Sequence, residues 1–167
     1  MARRALRTGP LETIIVLLIA LILVFAIGAI GAAVTQTGPG SWYETLAKPS
    51  FTPPDSVFGP VWTVLYLLMA LAACLAWRTA RPSRRLGAAA LFLLQLGLNG
   101  LWPPLFFGIH RIGLALADQA ALLVAASAMA IAFWRIRALA GLLVVPYLAW
   151  LLFAAALNAA IWRLNAA

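Results

Sequence analysis

Residues 13–34, TIIVLLIALILVFAIGAIGAAV, run without a single charged or amide side chain. A helix rises about 1.5 Å per residue, so this stretch reaches about 33 Å and can cross a hydrocarbon core of about 30 Å. Arginines precede it and small residues close it, as in a cleaved leader. Its length exceeds the roughly 7–15 residues of a leader's apolar region, so it reads as a first membrane span.

Four further stretches are also long and apolar enough to cross: 56–77, 86–110, 112–134 (with one acid, Asp118) and 138–163, which ends at Arg163. Of the 167 residues 65% are hydrophobic and 10% charged, with a mean hydropathy of +1.02. A soluble domain has about 45–50% apolar and about 25% charged residues, which excludes a water-soluble globule. The lone cysteine, Cys74, excludes a disulfide scaffold. The expected fold is all-α: a bundle of five transmembrane helices in one domain, 13–167, after a tail, 1–12.

The net charge of +8 does not call for nucleic acid. Threading the five spans puts Arg3, Arg4, Arg7, Arg78, Arg81, Arg84, Arg85, Arg135 and Arg137 on one side, and only Lys48, Arg111 and Arg163 on the other. By the positive-inside rule the N-terminus is expected in the cytoplasm and the C-terminus outside.

One connection differs from the rest. The loop 35–55 holds Trp42, Tyr43, Lys48, Pro49, Phe51, Pro53 and Pro54. Prolines lower the entropy lost on ordering, which suits a rigid lid over the outer mouth of the bundle. The competing reading is a loop lying on lipid headgroups, where Trp and Tyr are also favoured.

Trp77, Trp134 and Trp162 each precede an arginine at a span end and read as interfacial anchors. Trp62, Trp102 and Trp150 lie within spans, beneath the loop. Helical spacing gives them company: Phe58, Trp62 and Tyr66 form one stripe; Gln95, Asn99, Trp102 and Phe106 a second; Tyr147, Trp150, Ala154 and Asn158 a third. Amides in hydrocarbon need partners, so these faces should point inward. They describe either a packed core with interhelical hydrogen bonds or a pocket for a flat, apolar ligand. Pro103, Pro104 and Pro146 fall inside predicted helices and are expected to bend them. Asp118 is a candidate for proton or cation coupling, or else the partner of Arg111 two turns away. With one His (His110) and one Cys, no metal cluster or conventional catalytic constellation is expected.

Trp42-Tyr43, Leu46, Lys48-Pro49, Pro53-Pro54, Phe58, Val61-Trp62 and Leu65-Tyr66 resemble the WY-x-x-L-x-KP-x-x-x-PP…F-x-x-VW-x-x-LY run of the TspO/translocator-protein family. Gln95, Leu98-Asn99, Trp102, Pro104 and Phe106-Phe107-Gly108 resemble its third helix. Pro146-Tyr147, Trp150, Phe153, Leu157-Asn158 and Trp162-Arg163 resemble its fifth. The resemblance, covering about 38–165, implies a five-helix bundle, usually a homodimer, with a pocket closed by the first long loop. It implies binding of porphyrins such as protoporphyrin IX and haem, of benzodiazepine-like drugs and of sterols, with no cofactor required. By position Trp62 and Trp150 match the family's pocket tryptophans; Tyr43, Asn99, Trp102, Phe106 and Tyr147 would line it further. A sterol pattern of Leu/Val, Tyr and Lys/Arg is missing, since Ala159 and Ala160 stand where its tyrosine would fall before Arg163.

Three functions are therefore expected in order: a binding protein, sensor or carrier for tetrapyrroles in a membrane, most simply a bacterial one; light-dependent degradation of the bound porphyrin; and proton-coupled export through Asp118.

Overall fold

The computed structural model describes residues 9–165. Arg3, Arg4 and Arg7, on which part of the charge asymmetry rests, lie outside them. Helix α1 spans Pro10–Val34, α2 is the single turn Trp42–Thr45, α3 spans Asp55–Thr79 and α4 Pro82–Pro103. A wide turn of π-helix, Pro104–Gly108, continues α4; then come α5 (Ile112–Ile136), α6 (Ala138–Leu142) and α7 (Val145–Asn165). There is no strand among the described residues, and five helical segments are long and apolar enough to cross a membrane. The protein is an integral, multi-pass helical bundle.

The spans begin and end a few residues outside the hydropathy limits. Pro10 and Pro82 sit in the first turns of α1 and α4, where a missing N–H costs nothing, so helix starts earlier than the apolar run does. Two proline sites shape the spans further. Pro103 and Pro104 do not end the third span. Two donors are missing there, and the chain widens until the Ile109 N–H reaches the Pro104 carbonyl (2.9 Å). The fifth span, expected as one helix over 138–163, is two. The break at Leu143–Val144 places Pro146 in the first turn of α7, where it is tolerated.

Two apolar clusters hold the bundle. The larger joins Val24, Met69, Leu122, Met129, Phe133 and Tyr147, all fully or almost fully buried. The smaller lies under the loop and gathers Tyr43, Phe106, Ala115, Leu157 and Ile161, with Trp42 and Trp102 packed against it. Away from these clusters α1 faces outward through Ile14, Leu18 and Ile22.

Trp77 is more than an interfacial anchor. Its indole N–H donates to Glu12 Oε1 (3.0 Å), the same oxygen that pairs with Arg85 (3.2 Å), and the Arg85 guanidinium lies 5.3 Å from the Trp77 ring. Three helices are tied at one end by a single carboxylate. Trp134 and Trp162 remain exposed at their helix ends.

Candidate functional site

The loop 35–55 is folded onto the bundle. Ser41 caps α2 by accepting from the Glu44 N–H, while the Glu44 carboxylate accepts from the Gly40 N–H (2.6 Å). Gly40 has φ +81°, a conformation that only glycine adopts freely. The turn directs Tyr43 inward, where it is buried against Phe106 and Phe107. Trp42 stacks on His110 (4.1 Å between centroids, 16° between planes). Further along, the Asn165 carboxamide grips one peptide unit: its oxygen accepts from the Ala47 N–H (3.0 Å) and its nitrogen donates to the Ala47 carbonyl (2.9 Å). The loop is thus held by the wide turn after α4 and by the end of α7.

Beneath it is a cavity of about 620 Å³. Nine of the ten side chains expected to line a pocket do so: Tyr43, Trp62, Tyr66, Asn99, Trp102, Phe106, Trp150, Ala154 and Asn158. Their rings are mutually ordered. Trp62 lies 5.2 Å from Tyr66, Phe58 meets Trp150 edge-on at 5.7 Å, and Trp102 stacks on Phe106 at 4.8 Å. The Trp102 indole donates to Asn158 (3.2 Å), whose amide donates in turn to the Ile112 carbonyl (3.1 Å). The rings are locked by packing and by hydrogen bonds.

Tyr147 is the exception. It is fully buried behind Trp62 and off the cavity wall. Its hydroxyl donates to Gln95 and accepts from Asn99, which accepts from Tyr66. The two readings of the amide–aromatic faces are therefore both realised, at different depths: cavity wall toward the loop, hydrogen-bonded core below.

From the loop 35–55, Thr35, Thr37, Tyr43 and Asp55 reach the wall; the residues expected to form the lid, Trp42, Lys48, Pro49, Pro53 and Pro54, do not. The Lys48 ammonium sits 4.5 Å over the Tyr43 ring, with the Glu44 carbonyl at 3.5 Å. Burial pushes the Tyr43 hydroxyl pKa up, and the Asp55 carboxylate adds to the effect, so the phenol stays neutral at physiological pH. Asp118 is off the wall too. Its two carboxylate oxygens are buried without a hydrogen-bond partner, and it makes no ion pair with Arg111 among the described residues.

Several wall residues lie outside the stripes expected from the sequence. Helix α1 contributes Phe25, Gly28, Gly31 and Ala32, and α5 contributes Gln119 and Leu122. Gln119 donates to the Leu151 carbonyl (3.1 Å); an amide inside a span was the clue to it. Gly28 lies so close to Tyr66 that a β-carbon there would come within 2.5 Å of the ring.

The profile of the TspO/MBR family matches residues 19–163. The chain is 42% identical over 155 residues to the tryptophan-rich protein TspO of Archaeoglobus fulgidus, covering 92% of this chain and 99% of that one. It is 42% identical over 134 residues to the tryptophan-rich sensory protein of Cereibacter sphaeroides (78% and 82% covered). With the human translocator protein it shares 41% over 114 residues (67% and 68% covered). Five spans, an aromatic cavity under the first loop and a matching profile across almost the whole bundle agree: the chain belongs to the TspO/MBR family.

Proposed function

We propose that the protein is a membrane-embedded binding protein, sensor or carrier for flat hydrophobic ligands of the tetrapyrrole class, protoporphyrin IX or haem among them. The observation that carries this reading is the convergence of Tyr43, Trp62, Trp102 and Trp150, from four helices, on one cavity of about 620 Å³. That volume falls within the roughly 300–1,000 Å³ typical of small-molecule sites, and indole and phenol faces stack on planar π-systems. A macrocycle would lie among the rings. The same reading puts the loop outside and the N-terminus in the cytoplasm, because Arg78, Arg81, Arg84, Arg85, Arg135 and Arg137 gather at the opposite end. Assembly into a homodimer belongs to it as well and is checked by cross-linking in membranes.

The test is a protoporphyrin IX titration of the detergent-solubilised protein, followed by tryptophan quenching. Trp62→Ala or Trp150→Ala should weaken binding at least tenfold, a cost of about 1.4 kcal/mol. Superimposable curves for the wild type and both variants would refute the site. Export coupled through Asp118 finds no support in the geometry, because that carboxyl does not reach the cavity.

A further inference from the structure

Among the described residues the cavity wall holds one acidic side chain, Asp55, and no Lys, Arg or His. The basic groups at this end of the bundle are placed elsewhere. Lys48 is engaged by the Tyr43 ring and the Glu44 carbonyl. Arg111 and Arg163 are off the wall, as is His110, stacked on Trp42. The other acid of the loop, Glu44, is turned to the Gly40 N–H. Asp55 opens α3 and shares the wall with Tyr43 from the loop and Phe58 one turn further along α3.

A single carboxylate on a wall rich in aromatic side chains is a poor receptor for an anion and a good one for a cation. The charge attracts, and the ring quadrupoles add to it. The positive end of the α3 dipole offsets part of the Asp55 charge but supplies no hydrogen-bonding cation to a ligand.

We propose that the mouth of this cavity selects flat aromatic ligands with a cationic head, the ring system lying among Trp62, Trp102 and Trp150 and the head beside Asp55. The proposal rests on the reading of the cavity as a binding site for flat ligands, and it adds the sign of charge preferred at the mouth. For a porphyrin it means that free carboxylates oppose binding and that esterifying them favours it.

The experiment uses three tricyclic probes of equal outline: anthracene, 9-aminoacridinium and anthracene-9-carboxylate. Each is titrated calorimetrically into the full-length protein in a neutral maltoside detergent, with protoporphyrin IX titrated alongside. The cation should bind at least tenfold more tightly than the anion. Asp55→Asn should bring the two to within about threefold of each other. Because Asp55 is solvent-exposed, added salt should narrow the wild-type ratio as well. If anthracene and the porphyrin bind but the charged pair are equal, or their ratio survives in Asp55→Asn, the charge preference is overturned and the cavity reading stands. If neither anthracene nor the porphyrin binds, both fall.

Discussion

The Tyr147 hydroxyl donates to the Gln95 side-chain oxygen across 2.9 Å, joining α7 to α4 inside the bundle, where neither group meets water. The link belongs to a chain of hydrogen bonds. Tyr66 donates to Asn99, Asn99 to Tyr147, Tyr147 to Gln95, and Gln95 to the Phe92 carbonyl. Every member has a partner, and the chain begins at a tyrosine on the cavity wall. It fixes the floor on which Trp62 rests.

Tyr147→Phe removes the hydroxyl and leaves Gln95 and Asn99 each short of a partner. Interhelical hydrogen bonds within membranes average about 0.6 kcal/mol, but stranding buried amides raises the cost to about 1–3 kcal/mol. Thermal unfolding in detergent should show a lowered midpoint for Tyr147→Phe. Combining it with Gln95→Leu should cost clearly less than the sum of the two single changes. Strict additivity would mean that the pair does not act as a unit.

Gly28→Ala tests the close approach of α1 to α3. The new methyl would overlap the Tyr66 ring, which cannot swing freely because its hydroxyl is bonded to Asn99 and its face lies against Trp62. Overpacking of this kind costs about 1–3 kcal/mol. Both thermal stability and ligand affinity should fall, and Tyr66→Phe should restore part of the stability by freeing the ring. Wild-type behaviour of Gly28→Ala would show that α1 shifts without consequence.

These two cases mark what was legible in the sequence. Phe58, Trp62 and Tyr66 recur every four residues on an uninterrupted helix, so their common face could be read from spacing. Tyr147 shares a face with Trp150 and Ala154 on the same arithmetic, yet it stands below the cavity; spacing fixes direction, while depth depends on how the neighbouring helices cross. The wall supplied by Gly28 and Gly31 has no side chains to register, and α1 is apolar on every side, so no stripe distinguishes its inner face. Pro146 was legible as a disturbance. Whether the helix would bend there or restart depended on the residues at 143–144, which carry no breaking signal of their own.

Asn165→Ala removes the two-pronged grip on Ala47 and leaves the cavity wall intact. Both hydrogen bonds are solvent-exposed, so the expected loss of stability is small, about 1 kcal/mol or less. The effect should be kinetic. With one tether gone and the Trp42–His110 stack remaining, stopped-flow quenching should show ligand entering and leaving several-fold faster, with Kd changed much less. Unaltered rates would mean that the loop does not gate entry.

Asp118 provides the sharpest contrast between burial and satisfaction. It is 8% exposed, and both carboxylate oxygens are buried with no hydrogen-bond partner among the described residues. Its neighbour Gln119, one residue on, faces the cavity and is bonded to α7. A buried polar group without a partner is a standing cost of about 1–3 kcal/mol, more when it is charged, and replacing it by an apolar side chain of similar volume removes that cost. Asp118→Leu should therefore raise the thermal midpoint. Because the residue is off the wall, porphyrin affinity should stay within about twofold of wild type, too small a change to register as an altered site. A fall of the midpoint by several degrees would show instead that the carboxyl is satisfied in the membrane by a group from outside the chain.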